Sequence, residues 1–293
     1  MGEWKTEIRT NLVDVRGQTY LSSDLLRLST SHALARRSYD ALKVHQQHWA
    51  RAYCAGLAVH AAVITGRASA YLNDMWVVNT PLDQVALVLP SVPRRSTWPA
   101  GVRYVQRTLP ASRIRRGEAM STTSPLQTFL DIARLDGFTH ALVAADWLVQ
   151  RGGFTPAQLQ HLVETEPRFP GKPAARLAAR HASTLSESAP EAYARALLIE
   201  AGITDVRANV TLTRWRYRVD LLINGWLGVE IDGRVKYDDT TFGPASKALL
   251  DEKTRADRLG NAGHPLLRYA PRYLEEHPEE FVGAVRARLE LGR

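Results

Sequence analysis

The stretch that decides the architecture is Trp215–Asp232, WRYRVDLLINGWLGVEID. Its first half alternates: Trp215, Tyr217, Val219, Leu221 and Ile223 fall on one face of a strand, and Arg214, Arg216, Arg218, Asp220 and Leu222 on the other. In the second half Leu227, Val229 and Ile231 share a face, with Glu230 and Asp232 opposite. Asn224-Gly225 marks a hairpin turn between them. Two registers are open. A two-residue loop pairs 223 with 226 and sends Asp220 and Glu230 to opposite faces. A three-residue loop over 223–225 pairs 222 with 226 and 218 with 230, and makes the two acids diagonal neighbours on one face. The second is preferred because it gathers the apolar rows on one side.

Acidic side chains sharing a face repel and raise each other's pKa. A divalent cation removes that cost, and hard carboxylate oxygens suit Mg²⁺ or Mn²⁺. A metal so held activates water and neutralises charge on a phosphate. The competing reading is that Arg214, Arg216, Arg218 and Arg234 pair with these acids.

Outward from this hairpin, SAPEAYARALLIEAGI reads as a helix, RANVTL as a strand, SKALLDEKTRADRLGNAG as a long charged helix and HPLLRYA as a further strand. The order is α-β-β-β-α-β. Glu191 sits in Ser188-Ala189-Pro190-Glu191, which is also a capping box. Lys253, Arg255 and Arg258 on the charged helix are candidates to follow a DNA backbone; a solvated face paired with Asp251, Glu252 and Asp257 is the alternative. Trp226 and Tyr237 flank the acids as candidate stacking groups or as core.

Upstream, residues 166–185 are rich in Pro, Gly and small polar residues and read as a linker, with a short helix at 174–181. Residues 46–165 mix both periods: strands in TPLDQVALVLP and GVRYVQRTLP, helices in SPLQTFLDIARL, THALVAADWLVQRG and TPAQLQHLVETE. Within 1–45, LSSDLLRL and SHALARRSYDAL read as two short helices around a polar turn, either a reduced helix-turn-helix carrying Arg36 and Arg37 on its second helix or a plain helical hairpin. The fold class expected is α/β (α+β), in three parts: 1–45, 46–165 and 186–293.

Composition narrows the function. The chain has 293 residues with a net charge of +8. Residues 1–184 hold 22 basic against 13 acidic residues, and 185–293 hold 16 against 17, so the basic excess lies in the first two thirds. That favours a polyanionic partner there, although with only six lysines among 38 basic residues an arginine-rich genome explains it equally well. One cysteine, Cys54, excludes an internal disulfide and a thiolate-rich zinc site. No stretch has the ~20 apolar residues of a membrane span, and the N-terminus lacks an apolar signal core. A cytoplasmic location and no membrane partner are expected.

Two resemblances sharpen this. TSPLQTFLDIARLDGFTHALVAADWLVQRGGFTPAQL resembles the central region of AbiEi-type antitoxin proteins, through Thr123, Ser124, Pro125, Thr128, Asp131, Asp146 and Leu159. Arg37, Ser38 and Tyr39 stand where that family ends its winged helix-turn-helix, with serine for glycine. Asp220, then Glu230-Ile231-Asp232-Gly233-Arg234, then EKTRADRL and LLRY, is similar to the nuclease-like domain related to very-short-patch-repair endonucleases, of the PD-(D/E)xK superfamily. The resemblances imply a C-terminal PD-(D/E)xK core with Asp220 and Glu230 as metal ligands. They also imply a backbone ligand from Ile231, and Glu191 holding a metal-bound water. Asp232 stands where the superfamily has its lysine, and Lys236 is the candidate substitute. The expected activity is Mg²⁺- or Mn²⁺-dependent cleavage of DNA by an endonuclease or nickase, in phage defence or repair. The alternative is a DNA-binding antitoxin and transcriptional autoregulator with an inactive nuclease-like domain. A third reading is a module that binds a toxin or other neighbour-encoded protein.

Overall fold

The structure, a computed structural model, describes residues 2–16, 24–212, 217–232 and 263–292. It is of mixed α and β composition and divides into two compact units. Unit 1 comprises residues 1–137 and 167–175, and unit 2 comprises 138–166 and 176–293. The expected linker at 166–185 holds a helix, and the chain passes from one unit to the other at 137, 166 and 175. Among the described residues no helix is long and apolar enough to cross a membrane.

Unit 1 opens with α1 (Glu3–Thr10), β1 (Val13–Asp14), β2 (Leu25–Arg27), β3 (His32–Ala35) and α2 (Arg36–Asp40). The three strands form an antiparallel sheet in the order β1-β3-β2. This corrects the two-helix expectation for 1–45. The polar turn between the presumed helices is the tip of a β-hairpin. Leu28 N–H and Ser29 N–H both donate to the His32 carbonyl, and Ser29 Oγ accepts from Ser31 N–H and His32 N–H. A serine that satisfies its neighbours' backbone groups in this way competes with helix. Arg36 and Arg37 therefore open a five-residue helix with both side chains exposed, and do not lie on a recognition helix. Residues 21–23 of the expected first helix lie outside the described residues.

The unit continues through α3 (Val44–Ala58), β4 (Val63–Thr65), α4 (Gly66–Leu72), β5 (Val85–Leu89), β6 (Val102–Gln106), β7 (Ile114–Arg116), β8 (Ser121–Thr123) and α5 (Pro125–Leu135). A five-stranded mixed sheet runs β6-β5-β4-β8-β7. Ser124 caps α5 by accepting from Gln127 N–H, with Pro125 at the first helical position. Thr123, Thr128 and Asp131 build a buried polar knot. Thr123 and Thr128 hydrogen-bond each other and Ser69, and Asp131 accepts from Thr65 and, at 2.8 and 2.6 Å, from both terminal nitrogens of Arg107. Burying that carboxylate at 1 % exposure demands such a set of donors.

Unit 2 contains α6 (Gly137–Gln150) from residue 138 onward, α7 (Pro156–Thr165), the second half of α8 (Lys172–His181) and α9 (Ala189–Glu200). Then follow β9 (Val206–Leu212), β10 (Tyr217–Ile223), β11 (Leu227–Ile231), β12 (Leu266–Tyr269), α10 (Pro271–Glu276) and α11 (Pro278–Leu291). The sheet order is β12-β11-β10-β9, an antiparallel β9-β10-β11 meander with β12 parallel to β11. The expected helix over 246–263, with Lys253, Arg255 and Arg258, lies outside the described residues apart from its last position. Asp146, fully buried on α6, is held by Arg195 of α9, Ser186 and the Ser183 N–H, and burial pushes its carboxyl above the usual range.

Candidate functional site

The β10–β11 turn sets the geometry. Asn224 and Gly225 both adopt positive φ, 49° and 75°, and Trp226 N–H donates to the Ile223 carbonyl. This is the turn that an Asn-Gly pair forms at little conformational cost. Trp226 then stands as an additional residue, since the ladder pairs Ile223 with Leu227, Leu222 with Gly228 and Leu221 with Val229. The expected pairing of 218 with 230 is thus corrected by two residues. Because the shift is even, the parity is that of the three-residue loop. Continued by one step, the ladder sets Asp220 level with Glu230, side chains on one face.

The row extends across the sheet. Glu230 pairs with Arg268 on β12. On the other side, the pairs Val219–Val210 and Leu221–Ala208 bracket Asn209 against Asp220. Asn209, Asp220, Glu230 and Arg268 therefore lie in one line over four strands, and the first turn of α9 adds Glu191.

Each carboxylate has a different environment. Asp220 Oδ2 accepts from Ile231 N–H at 2.7 Å. Burial pushes its carboxyl up to about 6 against that hydrogen bond, and the negative charges of Glu191 and Glu230 add to the rise. Glu230 is held by Arg268 at 2.8 Å and accepts from the Tyr217 hydroxyl, whose own pKa is pushed up to about 12 by burial and by Glu230. Glu191 accepts from Ser188 Oγ at 2.7 Å, from Glu187 N–H at 3.0 Å and from Asn209 Nδ2 at 2.8 Å, so its capping role is realised. Asn209, at φ 49°, also donates to the Leu185 carbonyl. Its Oδ1 is buried and has no hydrogen-bond partner among the described residues. Arg218 forms a two-pronged pair with Glu187 at 2.7 and 2.8 Å. Asp232 follows β11, its N–H donating to the Tyr269 carbonyl. Lys236, Tyr237, Arg214, Arg216 and Arg234 lie outside the described residues.

The structure thus sets Glu191 and Glu230 close enough to Asp220 for their charges to act on it, with Asp232 just beyond β11. Sequence reasoning missed Asn209 as a site residue, and quoted Arg268 without a role. Both left a signal: a lone asparagine and a lone arginine inside strands, where side chains of that kind are disfavoured or need a partner. Among the described residues no group of three or more His, Cys, Asp or Glu side chains is placed to hold a metal ion. The donor chemistry nevertheless suits Mg²⁺ or Mn²⁺. Asp220 and Glu230 supply two carboxylates, the unpartnered Asn209 Oδ1 is a further hard oxygen, and Mg²⁺ is commonly held by one or two carboxylates with waters and substrate phosphates. Comparison with family models, curated proteins and solved structures finds no match.

Proposed function

We propose that unit 2 is a metal-dependent DNA endonuclease or nickase of the PD-(D/E)xK kind, acting in phage defence or repair. The observation that carries the reading is the level placement of Asp220 and Glu230 on adjacent antiparallel strands. Beside this placement, burial first and then the charges of Glu191 and Glu230 push the Asp220 carboxyl up to about 6. A carboxylate perturbed by desolvation together with specific charged neighbours is a candidate functional group. A bound divalent ion supplies an activated water and neutralises charge on the scissile phosphate. Asp220 and Glu230 hold that ion. Glu191, fixed by Ser188 and Asn209, orients water at the Asp220 end of the row. Arg268 brings positive charge to the other end, a role assigned from the sequence to Lys236.

The second reading is a DNA-binding antitoxin and autoregulator whose nuclease-like unit is silent. It is favoured by the same Arg268–Glu230 pair, which satisfies Glu230 without a metal. A supercoiled-plasmid assay separates the two. Nicking or linearisation with Mg²⁺ or Mn²⁺ that EDTA and Asp220→Asn both abolish supports the enzyme. DNA retention without cleavage under every metal condition supports the silent unit. Co-purification with a neighbour-encoded protein that inhibits growth points to toxin neutralisation.

A further inference from the structure

Unit 1 holds a cleft of about 440 Å³, lined by residues of α1, α3, the end of α4 and the β7–β8 hairpin. Small-molecule sites occupy this range of volumes. Its inner wall is aromatic. Trp49, 2 % exposed, stacks on Tyr53 with ring centres 4.8 Å apart and planes 10° from parallel, and Trp4 meets Trp49 edge-on at 5.4 Å. Leu72 and Met120 continue the apolar surface.

Against this wall the cations are held in place. Lys5 Nζ lies 5.9 Å from the Trp49 ring centre and donates to Asp74 at 2.7 Å. The Arg9 guanidinium lies 5.6 Å from the Trp49 centre and 5.1 Å from that of Tyr53. Arg115 donates to Asn73 at 3.1 Å, and Arg116 is exposed beside the turn that the Gly117 N–H closes onto Met120. Cations already ordered by ring contacts lose little further freedom when a ligand arrives. The lining has four cationic side chains against two carboxylates, Asp74 and Glu118. It also has an unmet donor: Trp49 Nε1 is buried without a hydrogen-bond partner among the described residues. An indole N–H can only donate, and a buried donor left unpaired is costly.

A cleft rich in donors, with excess positive charge and an apolar wall, calls for a ligand with many acceptor oxygens at one end and a flat, weakly polar body. We propose that this cleft binds a nucleotide through its phosphate. Arg9 and Arg116 take the phosphate oxygens, Trp49 N–H donates to a phosphate or ribose oxygen, and the base lies along Tyr53, Leu72 and Met120. The same chemistry is offered by a free nucleoside monophosphate and by the phosphorylated end of a strand. The proposal is independent of the carboxylate row in unit 2.

The test is calorimetric titration of the full chain in EDTA at low salt, with AMP, adenosine, inorganic phosphate and a 5′-phosphorylated trinucleotide. AMP is expected to bind at least tenfold more tightly than adenosine or inorganic phosphate. Arg116→Gln, which changes an exposed side chain at the end of β7 and keeps its backbone pairing, is expected to weaken AMP at least fivefold. Trp49→Phe, which keeps an aromatic ring and removes the N–H, is expected to weaken AMP severalfold, and Asp220→Asn to leave it unchanged. A trinucleotide tighter than AMP assigns the ligand to strand ends, and a weaker one to free nucleotides, provided Arg116→Gln weakens whichever binds. Absence of AMP binding, adenosine equal to AMP, or full affinity in Arg116→Gln overturns the proposal.

Discussion

Arg268 and Glu230 are register partners on parallel strands and form an ion pair at 2.8 Å, so the acid expected to face a metal is matched by a cation from the neighbouring strand. The pair fixes one end of a polar row whose other members are Asp220 and Asn209. Glu230 and Arg268 are both mostly buried, at 17 % and 27 % side-chain exposure, so each depends on the other. Arg268→Gln should lower the stability of the protein by about 1–2 kcal/mol, less than the cost of uncovering a fully buried charge because the ion pair is partly exposed. Urea unfolding of Arg268→Gln, Glu230→Gln and the double variant measures it. A coupling of zero in that cycle would mean the pair is only a surface convenience.

Asp220 should behave oppositely. Its folded pKa, about 6, lies above the ordinary 3.8. Between those values the folded state holds more protons than the unfolded one, so stability falls as pH rises through this window. Asp220→Asn removes that penalty. At pH 7 the variant should be as stable as the parent or more so, by about 1 kcal/mol once solvent screening of a partly exposed group is allowed for. The gain should vanish below pH 4. Melting temperatures of both proteins from pH 4 to 7.5 decide it; a variant less stable at pH 7 would make Asp220 a structural acceptor.

If unit 2 cleaves DNA, metal binding needs Asp220 deprotonated. Mn²⁺ affinity and cleavage should both rise with pH through about 6 and level off above it. Mn²⁺ titration at several pH values supplies a readout that does not depend on turnover. A profile flat from pH 5 to 8 would remove Asp220 from the metal site.

Asp146→Asn should be among the most damaging single changes in unit 2. The carboxylate is fully buried against Arg195, itself 4 % exposed. Losing its charge leaves a buried guanidinium uncompensated, at a cost of about 3–5 kcal/mol. Chemical denaturation should show it, and a loss below 1 kcal/mol would mean water reaches Arg195.

DNA binding, if unit 1 supplies it, should follow counterion release. Arg36→Gln with Arg37→Gln should flatten the log affinity–log salt slope by at most about 1.8, at roughly 0.9 per phosphate contact. Filter binding at several salt concentrations measures the slope, and an unchanged slope places the contacts elsewhere in unit 1.

Much of the secondary structure was legible because local chemistry and tertiary packing agree. Ser124-Pro125, Thr155-Pro156 and Ser188 announce α5, α7 and α9, and each serine or threonine accepts the backbone donor that its position implies. The alternation around Val219 and Val229 announced β10 and β11. The N-terminal hairpin was not legible. Leu25, Leu26 and Leu28 fit a helical face as well as a short strand, and the deciding feature is Ser29 Oγ binding backbone two and three residues on. Register was legible only as parity, because the Asn-Gly pair specifies the turn and is silent about the residue after it. The partners of the acids were the least readable. Arg268 reaches Glu230 through strand pairing over a long sequence separation, which no local pattern encodes.

That residue after the turn carries a constraint of its own. Trp226 brings the loop to three residues, and only with an odd loop do the carboxylates and the apolar rows each keep to a single side. Dropping one position would not trim the tip: it would turn one whole strand over and bring greasy side chains out opposite charged ones. Substitutions at 224–226 alter only how comfortably the bend is made. Insertions or deletions of one residue alter which surface faces outward. In descendants of this chain, spelling at the hairpin tip should drift among residues that tolerate positive φ at 224 and 225, while its length stays fixed or changes in steps of two.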